Sequence, residues 1–215
     1  MLKDSSFLNN LGEYCIEELK KIGTTNSEVI VGHSISEDML QRNNKIEEVT
    51  RSEDISIALT AYIDQKKSSI STSNLTKDNI KKAIARCYEM AKNTPEDQYC
   101  GLPENQFLQK DSNNLDLFDD SRVSYEDKKN YISECEHEAL VQKKIFNSNG
   151  VSFSEIKSNF LLKNSKGFSG ERKSSLFNIS CDVVAKKNNS MERDYEYSSK
   201  RFFSDLPEPK KIGKL

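Results

Sequence analysis

The chain has 215 residues, of which 35% are hydrophobic and 31% charged, and its net charge is −2. It is long enough for one large or two small domains with a sizeable core, and it leans polar but not to the point of disorder. No basic field points to nucleic acid or an anionic membrane, the amino terminus MLKDSSFLNNLGEYC has no apolar signal region, and no run approaches a membrane span, so a cytoplasmic protein is expected.

Leu8, Leu11, Cys15, Leu19 and Ile22 recur at helical spacing, which predicts a helix over 5–22 stopped by Gly23. A strand follows over 28–35, with Val29 and Val31 on one face and Ile30 on the other. The stretch 41–97 organises the rest of this half. Ile55, Ile57, Leu59, Ala61 and Ile63 alternate, so strands near 45–52, 55–63 and 66–73 should run antiparallel, joined by breaks at Asn43-Asn44 and Asp64-Gln65-Lys66. The period then becomes helical, with Ile80, Ala83, Ile84, Cys87 and Ala91 on one stripe. Thr76 is an N-cap, Leu75 and Ile80 are spaced as a hydrophobic staple, Asp78 lies in the first turn, Lys92 near the end, and Pro95 stops the helix.

Residues 98–123 read as a linker whose Leu115, Leu117 and Phe118 pin it to a domain surface. Ser124 caps a second long helix, Asp127 stands in for the Glu or Gln of a capping box, and Ile132, Cys135, Ala139 and Leu140 face inward up to Asn149-Gly150. Strands are expected over 151–164, 174–187 and 191–198. Phe177, Ile179, Cys181, Val183 and Ala185 alternate without a break, and Asn188-Asn189 turns the chain into the last strand. Another helix begins after Pro207 and Pro209. The expected class is α+β, antiparallel sheets with helices packed on one face in two successive α/β units. The expected division is a first domain over 1–97, a linker over 98–123 and a middle domain over 124–215.

Candidate chemistry is sparse. His137-Glu138 invites a zinc-helix reading, but the places four and five residues after His137 hold Val141 and Gln142, so a solvated helix face is expected. His33 lies on a strand with no ligand at useful spacing, as a surface or satisfied core histidine would. No G-x-S-x-G elbow is present, and Gly167-Phe168-Ser169-Gly170 reads as a tight turn between strands. Five cysteines without close spacing read as reduced thiols, Cys15, Cys87, Cys135 and Cys181 as small hydrophobes and Cys100 in a loop. In the last strand Glu192, Asp194 and Glu196 alternate on one face, a solvated or salt-bridged set or a hard-cation site. Arg193, Tyr195 and Tyr197 occupy the other face, and such side chains are enriched at binding surfaces. The alternative for that face is packing against the 124–146 helix, with Arg193 paired to an acidic neighbour.

Several motifs in fixed order resemble the TldD/PmbA family, the "modulator of DNA gyrase" family linked to zinc-dependent proteolysis. They are Arg42-Asn43-x-x-Ile46-Glu47, then Ser69-x-Ser71-x-Ser73-x-Leu75-x-x-x-x-Ile80, Ala91-x-Asn93-Thr94-Pro95-Glu96-Asp97, the run Leu115-Asp116-Leu117-Phe118-Asp119, and Met191-Glu192-Arg193-Asp194-Tyr195-x-Tyr197. The last is similar to the PmbA (TldE) branch. That resemblance implies a bacterial, non-catalytic subunit that pairs with a zinc-holding TldD-type partner as a heterodimer around a proteolytic chamber. Its implied roles are subunit contact and access for peptide or unfolded protein substrates. No catalytic or metal residue and no cofactor is then expected in this chain, zinc being in the partner. Family members carry their His-Glu-x-x-x-His in a further C-terminal domain absent here, so the chain is expected to be the first two domains only, from a truncated or split gene. The alternative is a stand-alone protein-binding module or a remnant without function. Direct nucleic-acid or gyrase binding gains nothing from the charge.

Overall fold

The computed structural model describes residues 2–108 and 115–214. Its elements are α1 (Ser5–Ile22), β1 (Asn26–Arg42), β2 (Lys45–Ile63), β3 (Lys66–Thr72), α2 (Lys77–Lys92), α3 (Tyr125–Leu140), β4 (Ile145–Asn164), β5 (Ser169–Lys187), β6 (Ser190–Lys200) and the short α4 (Pro209–Gly213). All six strands join in one sheet, in the order β3-β2-β1-β4-β5-β6, and the α+β class expected from the sequence is the class observed.

Local chemistry sets these boundaries. The Asp4 carboxylate caps α1 by accepting the Phe7 N–H at 2.8 Å, and Gly23, at φ 103°, ends it in the left-handed region that glycine adopts without strain. Thr76 caps α2, and Ser124 and Asp127 form a complete capping box on α3. Asn43 and Asn44 both have positive φ, 50° and 60°, as a two-residue hairpin demands, and Asp64 and Asn188 turn the next hairpins at φ 53° and 54°.

The strands depart from the expected lengths. No break separates 45–52 from 55–63, because both belong to β2, and the strand expected over 28–35 continues to Arg42. Asn149-Gly150 does not end the helical unit. Helix α3 stops at Leu140, and Gly150 lies inside β4 at φ 131°, where a Cβ would come within 3.0 Å of the Leu40 side chain.

The chain divides into two compact units, one made of residues 1–34, 53–115 and 158–173, the other of 35–52, 116–157 and 174–215. The division into compact units is interleaved along the chain. The cause is strand length: β1, β2, β4 and β5 have 17 to 20 residues each, and each contributes to both units. In the first unit, α1 and α2 bury Leu8, Cys15, Leu19, Ile80, Ile84 and Cys87 with the inward strand residues Val29, Val31, Ile57, Leu59, Ala61 and Leu161. In the second, α3 and α4 cover Val151, Phe153, Phe177, Ile179, Cys181 and Val183. Tyr131, Phe153, Phe177 and Phe203 form an aromatic cluster there, with ring centroids 5.8–6.5 Å apart.

The linker is pinned by hydrogen bonds as well as by apolar residues, with Leu102 buried and Val123 packed on the core of the second unit. Leu115 is exposed, whereas the Leu117 carbonyl accepts the Ser175 N–H at 2.9 Å and the Asp119 carboxylate accepts the Phe203 N–H at 2.8 Å.

Candidate functional site

β6 pairs antiparallel with β5, and the register places Arg193, Tyr195 and Tyr197 opposite Val184, Asp182 and Ser180. Glu192, Asp194 and Glu196 lie opposite Ala185, Val183 and Cys181. Opposed residues share a face. The carboxylates therefore continue the core-facing side of β5, and the Arg/Tyr/Tyr row continues the outer side. β6 is the end strand of the sheet and is exposed along nearly its whole length.

Tyr195 and Tyr197 are 60% and 63% exposed, so neither packs against α3. Their rings stack on each other at 6.2 Å between centroids and 29° between planes. The Arg193 guanidinium donates to Asp182 at 3.1 Å, so the acidic neighbour is real although the packing is not. The strand holds the row in place by its pleat, which sets every second side chain on one face about 6.6–6.8 Å from the next. This flat patch of two rings and a cation suits an extended backbone or a carboxylate.

Two further contacts lie on the same strand. Asp194 Oδ1 accepts the Tyr195 N–H at 2.9 Å, and Glu196 Oε1 accepts the Tyr197 N–H at 3.0 Å. Alternate amides of an antiparallel strand point away from its partner, so these carboxylates cap the open side of β6. Alternation in the sequence located the two rows but carried no sign of this capping.

The other candidates are not brought together. His33 is buried, accepts the Lys3 N–H at Nδ1 at 2.8 Å and holds its Nε2 3.1 Å from Glu53, which makes it a satisfied core histidine with its proton on Nε2. His137 is exposed on α3. Gly167, at φ 91°, is part of the turn between β4 and β5, as its composition suggested. Burial pushes the Cys15 thiol up to about 12, and a hydrogen bond with Cys181, together with burial, raises Cys135, so neither thiol is poised as a nucleophile. Among the described residues no group of three His, Cys, Asp or Glu side chains could hold a metal ion. The zinc associated with the resembled family thus finds no donor set there. An open depression of about 420 Å3 lined by Gln65, Glu96, Asp97, Gln98 and Tyr99 lacks the apolar walls of a small-molecule site.

Sequence reasoning also passed over buried charge on α3. Glu136 is fully buried, and its carboxylate accepts from Gln41 Nε2 at 3.0 Å and from the N–H groups of Asn43 and Asn44 at 2.8 Å each. Lys128, also buried, is ion-paired with Glu37 at 2.5 Å and with Glu155, which in turn meets Lys157 at 3.0 Å. Both residues fall on the stripe of Ile132, Cys135 and Ala139, at 128, 132, 135, 136 and 139, and helical spacing alone would have placed them inside.

Comparison with known proteins gives a consistent result. The family model described as PmbA/TldA metallopeptidase central domain matches residues 118–215, and the one described as PmbA/TldA metallopeptidase domain 1 matches residues 27–91. The chain is 29% identical over 201 residues to a "Metalloprotease PmbA homolog" of Haemophilus influenzae, a match covering 93% of this chain and 44% of that protein. It is 29% identical over 197 residues to "Metalloprotease PmbA" of Escherichia coli O157:H7, covering 91% and 44%. The chain thus spans less than half the length of the curated relatives it matches. Among solved structures, a protein described as a modulator of DNA gyrase from Bacteroides thetaiotaomicron shares the fold with a TM-score of 0.89 at 22% identity, over 100% of this chain and 49% of that one. TldE from Thermococcus kodakarensis does so with a TM-score of 0.75 at 16% identity, over 95% and 46%.

Proposed function

The chain belongs to the PmbA/TldD metallopeptidase family, and from that premise we propose that it works as a PmbA/TldE-like, non-catalytic part of a zinc metallopeptidase complex. In this reading a TldD-type subunit holds the zinc, and this chain supplies subunit contact and shapes the access of peptide or unfolded protein to the catalytic partner. The observation that carries it is the exposed Arg193, Tyr195 and Tyr197 row on the end strand, a surface the core does not use.

The test is co-purification of the chain with a TldD-type protein, followed by peptide hydrolysis with and without zinc. Association is expected, with hydrolysis that depends on zinc and on the partner. The double change Arg193→Ala with Tyr195→Ala should keep near-native melting and weaken association or slow hydrolysis. Loss of folding with no separate binding defect would assign the row to the fold and remove the proposal's support.

A further inference from the structure

We propose that the open side of β6 takes up an extended polypeptide as an added strand, and that it selects segments carrying Lys or Arg at alternate positions. This rests on the reading of β6 as a peptide contact and names what the contact would select. An end strand offers unpaired N–H and C=O groups along one side, a ready template for another chain. β6 runs for 11 residues, and among the described residues it pairs only with β5. Its open-side amides at Tyr195 and Tyr197 are held by Asp194 and Glu196. An incoming strand replaces those caps with its own carbonyl oxygens and frees the two carboxylates.

The freed carboxylates set the selectivity. Glu192, Asp194 and Glu196 repeat every second residue on one face, and among the described residues none of the three has an ion-pair partner. A strand of the same pitch with cations at every second position sets one beside each carboxylate, because both strands advance about 6.6–6.8 Å per two residues. Its intervening side chains pass over the Tyr195–Tyr197 stack. A second copy of this chain is the poorer occupant. Antiparallel β6 on β6 with the carboxylate faces aligned sets Asp194 against Asp194 or Glu196, and like charges directly opposed repel.

The experiment uses the 215-residue chain and fluorescein-labelled nine-residue peptides, read by anisotropy. The parent probe alternates Lys and Thr, a second alternates Glu and Thr, and a third is the Lys/Thr sequence with methylated backbone nitrogens and unchanged charge. The Lys/Thr probe should bind at least about tenfold more tightly than the Glu/Thr probe, and its affinity should fall with added salt. Methylation should abolish binding. Tyr195→Pro, which removes an open-side amide that β5 does not use, should lose the Lys/Thr probe while keeping the melting temperature, and Tyr195→Ala should lose less. Asp194→Asn with Glu196→Gln should erase the preference for Lys over Glu.

Equal binding of the methylated probe would overturn strand addition, since only side-chain attraction would be left. Equal binding of the Glu/Thr probe would overturn the charge selection. Self-association through β6 at neutral pH, detected by sedimentation and removed by Tyr195→Pro, would overturn the choice of occupant. No partner subunit or hydrolysis enters these measurements, so their failure leaves the proposed subunit role standing, and failure of that role leaves strand addition testable.

Discussion

Glu136 offers the sharpest test of how the second unit is held. Replacing it with Gln keeps the shape and removes the charge. In the native chain one carboxylate takes Gln41 Nε2 and two turn amides, and the Ser148 hydroxyl also donates to it. A glutamine retains one oxygen and turns an NH2 toward an amide donor, leaving at least one buried N–H without an acceptor. Hydrogen bonds to a charged group contribute about 1.5–3 kcal/mol each and a buried orphan costs about 1–3 kcal/mol, so a loss of roughly 2–4 kcal/mol is expected at pH 7. That is a large share of the ~5–15 kcal/mol that holds an ordinary domain folded. Burial alone would raise the carboxyl's pKa, but the hydrogen bonds from Ser148, Asn44, Gln41 and Asn43 outweigh it and hold it below the usual glutamate range. A group lowered on folding contributes stability that is full above its unfolded pKa, about 4.3, and is lost as pH falls through the folded value. Urea unfolding of both proteins should therefore show a wide gap at pH 7 that narrows steadily below pH 4. Equal midpoints at pH 7, or a gap that stays constant on acidification, would refute the role given to the charge.

Three other outcomes follow from the packing. Ile57→Asp or Leu59→Asp buries an unpaired carboxylate at a fully buried site, which costs several kcal/mol and should unfold the first unit, as far-UV circular dichroism would show. Lys128→Met removes the cation shared by Glu37 and Glu155 and should cost about 3 kcal/mol, part of which returns when Glu155→Gln is added; the four melting curves of that double-mutant cycle check it. Gly213→Ala would place a Cβ 2.4 Å from the Cys135 carbonyl oxygen and 3.0 Å from the Ala139 nitrogen, backbone atoms that cannot give way, so a loss of about 1–3 kcal/mol is expected in thermal melting.

The elements legible in the sequence are those whose signals are local. Helix α1, helix α2 and the hairpins at Asn43-Asn44 and Asn188-Asn189 each carry period and punctuation within a few residues, and the structure places them as read. Strand length was not legible, because β2 between Lys45 and Ser56 is charged and almost wholly exposed and so shows no apolar alternation. The joining of all six strands in one sheet depends on pairings between residues far apart in sequence, which no local pattern records. Lys128 and Glu136 were missed for a different reason. A search by hydrophobicity skips charged residues even when their helical position points inward, and their partners come from β1, the β1–β2 turn and β4.

The end strand separates what folding requires from what it does not. A long, exposed end strand invites pairing with other chains, and proteins blunt such strands with charge. Asp194 and Glu196 do this twice over, by placing charge on the strand and by occupying its open amides. Their presence has a reason in the fold alone. Tyr195 and Tyr197 suit a strand by propensity, but the core does not need them: they are more than half exposed and stack on each other. Stacked aromatics beside a guarded edge increase the attraction that the carboxylates restrain. That opposition has a use if the guard is meant to yield to one kind of partner, an extended chain whose cations can take the carboxylates from the amides.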